Sequence, residues 1–402
     1  MRTVEEHLSR VLSLGSRLPA EPCPVGDGFG RVLAEDLAAV VAVPPFDNSA
    51  MDGFAVRAED LAVGASLRVV GDIPAGATAV PRVGAGEAAR IMTGAPMPPG
   101  ADTVVPVEQT DQPMGAVSLP ESVRVSAVVP LGRHVRRAGE DVAVGAQGLS
   151  AGQRWSPAAA SSAASLGHGV VPLVARPRVS ILATGSELVA AGRPLGFGQI
   201  PDSNSLLLSG LCRQWGAEVV SAVAVDDEPA NFRAALTEAL AADLVLTSGG
   251  VSVGAFEVVR QVVEGEVVFD KVAMQPGKPQ ASGLLTAPDG RRVPMLGLPG
   301  NPVSVFVSAW AFARPLIARL GGWDEEWRSV SMLALRGWKG PEGRRQFTPV
   351  RITADGVMPV HTLGSGSHLV ASLALADGLA VVTEEATSVA PGDAVAVHPV
   401  GL

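Results

Sequence analysis

The 402-residue chain has only two cysteines and three lysines. Cys23 and Cys212 are too few for a disulfide framework or a structural zinc site, and both read as small apolar core residues, as free cysteines usually are. Basic residues are outnumbered, 31 Lys and Arg against 40 Asp and Glu, giving a formal net charge of −9. No broad positive field exists to draw in a phosphate backbone, so a nucleic-acid partner is not expected. The longest wholly apolar stretch, Leu37 to Phe46, is far short of the ~20 residues of a membrane helix, and Pro44-Pro45 breaks it. The opening MRTVEEHLSR places Glu5 and Glu6 where a secretory signal needs an apolar core. A soluble, cytoplasmic protein with no membrane partner is the expectation.

Length and apolar content are ample by contrast. Hydrophobic residues make up 47% and charged residues 18%, enough to bury real cores in two to four domains. Glycine (46) and proline (32) together form about a fifth of the chain, which predicts many turns and short strands.

The start is helical by pattern, with Thr3 and Glu6 spaced as a capping box and Val4, Leu8, Val11 and Leu12 on one face. From Ala39 to about Gly132 that period disappears. Valine-rich runs at Leu67–Val70, Thr103–Val107 and Val123–Val129 alternate with Gly/Pro turns, predicting a small β domain. Ser156 to Ala175, rich in small residues, reads as a closely packed helix. From Arg178 strands alternate with helices: strands at PRVSILATG, 218–225, 244–247, 267–269 and 293–298, helices at 205–215, 229–240 and 303–320. That alternation predicts a doubly wound parallel sheet covered on both faces, with ligands beyond the carboxyl ends of its strands. After Gly322 short strands return, predicting a C-terminal β-barrel.

Candidate site residues fall at those strand ends. Gly249-Gly250 follows a strand directly, and with Ser252 it either makes a purely geometric turn or offers N–H and hydroxyl donors to an anion. In Leu298-Pro299-Gly300-Asn301-Pro302, Asn301 suits an N-cap and Pro302 the first helical position, so the helix start either is simply capped or seats an oxyanion. Lys271 and Lys278 lie seven residues apart, a clustering of two of only three lysines. The prolines of PGKP restrain the backbone around Lys278. Glu187, Asp226, Asp227 and Glu257 put carboxylates on the same rim, the usual company of a divalent cation bridging to phosphate.

PPFDNSAMDGFA, RIMTGAPMP, RRAGED, TGSEL, SGGVSVG, PGKP, LPGNPVS and GSGSH occur in the order seen in the molybdopterin molybdenumtransferase family, the bacterial relatives of the gephyrin E domain. The eight blocks span almost the whole chain. The resemblance implies a multidomain α/β protein and a homodimer. Its parts would be a helical dimerisation domain from 1–43 plus 135–175, an inserted β domain at 44–134 reaching across the dimer, an α/β molybdopterin-binding domain at 176–322 and a C-terminal β-barrel at 323–402. It implies insertion of molybdate into adenylated molybdopterin, with release of AMP, a divalent metal such as Mg2+, and contacts with other cofactor-synthesis proteins. Matched motif by motif, Asp52, Thr93, Asp141, Glu187, Asp227, Lys271 and Lys278 are its catalytic positions. Gly249, Gly250, Ser252, Pro299, Gly300, Asn301, Ser304, Arg345 and Ser367 bind substrate, and Glu187, Asp227 and Glu257 bind metal.

Three positions depart from the family pattern. Glu257 stands where many members have Asp, Gln275 where many have Lys, and Pro349 where an Arg usually follows a phenylalanine by two residues. Arg345 and Arg351 are the candidates for that missing guanidinium, and a lysine restored at 275 is expected to strengthen oxyanion binding. An adenylyltransferase on a similar α/β domain would carry GGTG at Gly249–Ser252 and lack the flanking domains. A non-catalytic scaffold would have no use for Asp52, Glu187 and Asp227. A Rossmann oxidoreductase is disfavoured because no G-x-G-x-x-G opens the first α/β helix.

Overall fold

The computed structural model describes residues 1–115, 117–251, 258–325, 327–361 and 370–401. They form two compact units, one of Pro22–Phe29 and Leu33–Pro172, the other of Met1–Glu21, Gly30–Val32 and Leu173–Leu402.

The first unit is built on five strands, β1 (Gly53–Val56), β2 (Ser66–Ile73), β3 (Glu87–Ile91), β4 (Thr103–Pro106) and β5 (Ser122–Arg124), in the order β4-β1-β3-β2-β5. The valine-rich runs became β2, β4 and β5. The inner strand β1 is buried along its whole length, so it shows no polar alternation. Phe54 and Val56 pack with Leu67, Val105 and Val123 on one face. Ala55 packs with Ile73, Ile91 and Val104 on the other. A Cβ at Gly53 would lie 2.1 Å from the carbonyl oxygen of Val105, so only glycine lets β1 and β4 pair there. Pro157–Ser165 is a helix with Pro157 in its first turn, and the Ser156 hydroxyl accepts the Ala159 N–H at 3.1 Å. This helix ends ten residues before the expected limit at Ala175. Gly167 turns at φ +94°, and β-branched Val170 and Val171 begin a strand, Val170–Val174.

The N-terminal helix Val4–Ser13 carries the expected capping box. Its Val4 and Val11 bury in the second unit's core, among Phe306, Phe312 and Leu316, while further along the chain Leu37–Ala38 pairs with Gln147–Leu149.

That core lies under a six-stranded sheet of β6 (Arg178–Thr184), β7 (Glu218–Val225), β8 (Leu244–Ser248), β9 (Val267–Lys271), β10 (Pro279–Thr286) and β11 (Arg292–Leu298), in the order β7-β6-β8-β11-β10-β9. Four neighbours, β7, β6, β8 and β11, are parallel. The expectation of a wholly parallel sheet fails at β10, which runs antiparallel to both β11 and β9. Ile181, Leu246 and Leu296 face Phe306 and Phe312 on one side. Leu182, Val245 and Met295 face Phe232 and Leu236 on the other, so both faces are covered.

A helix from Pro302 to Gly321 is the one described segment long and apolar enough to cross a membrane, but 89% of its apolar window is buried inside the protein, as for a core helix. It widens to a π turn at Ala309–Ala313, just before Pro315, whose missing N–H cannot continue the regular ladder. Cys23 and Cys212 are unpaired and buried, and burial pushes the Cys212 thiol up to about 12, leaving it inert at neutral pH.

The C-terminal strands are β12 (Val330–Leu333), β13 (Arg345–Thr353), β14 (Gly356–Pro359), β15 (Gly378–Val382) and β16 (Ala394–Pro399). They pair β14-β13-β15-β16-β12, and a bridge between Ala334 and Val357 brings the two ends of this order together. The two-residue strand Met274–Gln275 adds to β13 in parallel, Met274 opposite Arg345.

Candidate active site

The antiparallel reversal at β10 decides where the lysines go. Ala281 pairs with Gly297, so β10 starts beside the carboxyl end of β11. Lys271, at the end of β9, pairs with Pro279. Lys271 and Lys278 therefore reach the rim where β6, β8 and β11 end. Lys271 is exposed and Lys278 half-buried, and neither forms an ion pair among the described residues.

The Lys278 loop is tightly held. The Lys278 carbonyl accepts the Val272 N–H at 2.8 Å. The Gln280 side-chain amide donates to the Gly277 carbonyl and to the Ser308 hydroxyl of the long helix, both at 2.7 Å. Gly277 has φ +104°, and a Cβ there would lie 2.9 Å from both Met274 Cε and Ser308 Oγ. The backbone that aims Lys278 is thus fixed before any ligand arrives.

Three further loops converge on this rim. The Gly249 N–H donates to the Leu298 carbonyl at 3.1 Å. A Cβ on Gly249, at φ +91°, would meet the Thr184 carbonyl oxygen at 2.7 Å, and one on Gly300 would meet Gly249 Cα at 3.6 Å. The double glycine is therefore required by close backbone approach, which joins the loops after β6, β8 and β11. Asn204 donates to the Gly300 carbonyl at 2.7 Å. Pro299 is buried, and Pro302 starts the long helix as expected. The Asn301 side chain makes no cap bond, so the Asn301 carbonyl, accepting from Val305, carries that turn. Ser304 is buried within the helix. Ser252, Glu257 and Ser367 lie outside the described residues.

The acidic pair resolves clearly. Asp226 turns back to accept from the Asn231 amide and the Glu228 N–H, fastening the start of the helix Pro229–Ala239. Asp227 points the other way: its Oδ2 accepts the Ser186 N–H at 2.9 Å, and the Asp227 N–H returns a bond to Ser186 Oγ at 3.2 Å. One residue on, the Glu187 carboxylate folds over Gly185, its oxygens 2.6 and 2.7 Å from where a Cβ would stand. Glu187 and Asp227 thus offer hard oxygens from two stapled loops. No three His, Cys, Asp or Glu residues cluster as a metal site among the described residues. Two carboxylates fit Mg2+, which commonly keeps several waters and takes one or two carboxylates plus substrate phosphate.

Both Nη atoms of Arg345 pair with carboxylates, Glu5 and Glu384, so it braces the N-terminal helix against β13, while its Nε is buried without a hydrogen-bond partner among the described residues. Arg351 is exposed, six positions further along the same strand.

In the first unit the motifs around Asp52, Thr93 and Asp141 assemble around one loop. Asp47 accepts from Arg137 at 2.7 Å and from the Ala138 N–H at 2.8 Å. Ser49 exchanges backbone bonds with Gly94 and Ala95, and the Asp141 N–H donates to the Val43 carbonyl at 3.0 Å. Asp52 Oδ1 accepts both the Thr93 N–H, at 2.6 Å, and the Thr93 hydroxyl, at 2.7 Å. Asp52 also lines a cleft of about 650 Å3 with Phe54, Arg90 and Met92. Its two bonds from Thr93, backbone first, hold the Asp52 carboxyl below the usual aspartate range. A depressed folded-state pKa stabilises the fold above the unfolded value of ~3.9, and that contribution is lost as pH falls through the lower folded value. Thr93→Val should therefore raise the Asp52 pKa in a carboxyl-carbon NMR titration; an unmoved titration would show that the Thr93 hydroxyl contributes nothing.

Three family models together match most of the chain. Residues 2–167 match the MoeA N-terminal region (domain I and II), 180–319 the probable molybdopterin binding domain and 332–400 the MoeA C-terminal region (domain IV). Molybdopterin molybdenumtransferase 2 of Mycobacterium tuberculosis is 40% identical over 98% of both chains. The chain belongs to the molybdopterin molybdenumtransferase family. The Haemophilus influenzae member is 36% identical, covering 99% of this chain and 98% of its own. A crystal structure of the molybdopterin biosynthesis MoeA protein from Pyrococcus horikosii superposes with a TM-score of 0.83 at 30% identity, covering 99% of this chain and 98% of that one. Molybdopterin molybdenumtransferases are transferases of molybdenum cofactor biosynthesis, and the multidomain α/β architecture is shared.

Proposed function

We propose that the protein inserts molybdate into adenylated molybdopterin, releasing AMP and molybdenum cofactor. The observation that carries this reading is the strand reversal that brings the start of β10, which Lys278 immediately precedes, to the carboxyl end of β11, from which the Gly249 loop and the long helix are reached; among the described residues Lys278 has no ion pair. Both substrates are anionic while the chain is acidic overall, so donors must be gathered locally. Backbone N–H groups at a helix start and a preorganised ammonium do this. No side chain is assigned as nucleophile, because a molybdate oxygen or a water can attack the α-phosphorus directly. Glu187 and Asp227 would hold a divalent cation such as Mg2+, which when bound neutralises charge on the pyrophosphate.

The C-terminal strands are read as a β-barrel, supported by the Ala334–Val357 bridge. The protein is read as a cytoplasmic homodimer, for which solution mass should be about 82 kDa against 41.0 kDa for one chain; a monomer at micromolar concentration would contradict it. The function itself is tested by product stoichiometry. Incubation with adenylated molybdopterin, Mg2+ and molybdate should yield one AMP for each pterin-bound molybdenum. Molybdenum incorporation without AMP would refute the proposed chemistry.

A further inference from the structure

Two cations of the family pattern are missing here, at Gln275 and Pro349, and in the obvious replacement, Arg345, both Nη atoms are already on carboxylates, those of Glu5 and Glu384. The structure assigns the missing guanidinium to Arg344, held by Gln275 as a second cation for the oxyanion beside Lys278. This inference rests on the molybdate reading given above.

The pairing of Met274–Gln275 with Arg345–Gln346 brings the start of β13 against the Lys278 loop. The Arg345 N–H donates to the Ala273 carbonyl at 2.9 Å, which fixes the chain at the neighbouring residue. Arg344 Nη1 then donates to Gln275 Oε1 at 3.3 Å. Arg344 is half-buried, and among the described residues it has no carboxylate partner. Arg351 is an unsuitable substitute. On an extended strand six positions correspond to about 20 Å, which takes it well away from that junction.

Gln275 is thus more than a lost charge. A neutral carbonyl three residues before Lys278 can orient a guanidinium, whereas an ammonium there would repel it. The planar fork of Arg344 is suited to the oxygens of a tetrahedral dianion and would supply the charge that residue 275 no longer does. This reverses the expectation from sequence: Gln275→Lys should weaken molybdate binding, because it displaces Arg344.

The test uses the full-length protein, with molybdate titrated calorimetrically and by the concentration giving half-maximal AMP release. Arg344→Ala should raise both about tenfold, as for loss of one charged hydrogen-bond donor. Half-saturation by adenylated molybdopterin and the melting temperature should hardly move. Arg344→Lys should fall between, and Arg351→Ala should match the unaltered protein. If Arg344→Ala leaves the molybdate dependence unchanged while Lys278→Met shifts it, the assignment of Arg344 is wrong and the rim reading stands. If the unaltered protein shows no molybdate-dependent AMP release, both fall together.

Discussion

Glu187→Gln and Asp227→Asn are each expected to slow AMP release about a thousandfold, with the melting temperature nearly unchanged. Each substitution removes a charge and almost no volume. In Asp227→Asn the amide oxygen can still accept the Ser186 N–H, so the staple between the two loops survives. What is lost is the anionic oxygen that would hold the cation over the pyrophosphate. Such charge stabilisation is worth several kcal/mol, and about 4 kcal/mol corresponds to three orders of magnitude in rate. Asp226→Asn provides the contrast, because Asp226 is occupied with Asn231 and Glu228 at the start of a helix. It should retain nearly full turnover. Unchanged turnover in both the Glu187 and Asp227 variants would remove these carboxylates from the reaction.

Lys278→Met should raise the molybdate concentration for half-maximal AMP release about ten- to a hundredfold. A hydrogen bond to a charged group contributes on the order of 1.5–3 kcal/mol, which is that range in affinity. The upper part is favoured because Gln280 and Val272 already fix the loop, leaving little ordering cost on binding. Adenylated molybdopterin should bind with much less change, since the amides of the Gly249-Gly250 loop remain. The measurement is a molybdate titration of AMP release at saturating adenylated substrate. An unchanged half-maximal concentration would make Lys278 an ordinary half-buried lysine.

The parts of the fold that sequence made legible are those with a distinct local signal. The capping box at Thr3, the Phe232–Leu236 helix face and the continuous apolar runs before TGSEL and SGG each carry one, and the structure has them in place. Elements without such a signal were not visible. Gly53–Val56 is too short and too uniformly buried to alternate. Pro279–Thr286 begins with proline and contains Gly283, neither of which favours a strand. Yet a Cβ at Gly283 would lie 2.4 Å from the Glu266 carbonyl oxygen, so that glycine permits the pairing of β9 and β10.

The motifs named candidate residues one by one, but not their geometry. Without the motif match Asp226 and Asp227 look alike, and only the structure gives them opposite hydrogen-bond partners. Arg345 looked available because Glu5, 340 residues away, gave no sign of reaching it. Arg344 carried no signal, because its role depends on a two-residue strand pairing with a segment some seventy residues distant.

The most direct test is AMP release from adenylated molybdopterin by the purified protein, with molybdate and Mg2+ supplied together and each withheld in turn. The account predicts AMP only when both are present, with a rate that saturates in molybdate. Equal AMP release without molybdate, or none with both present, would contradict it.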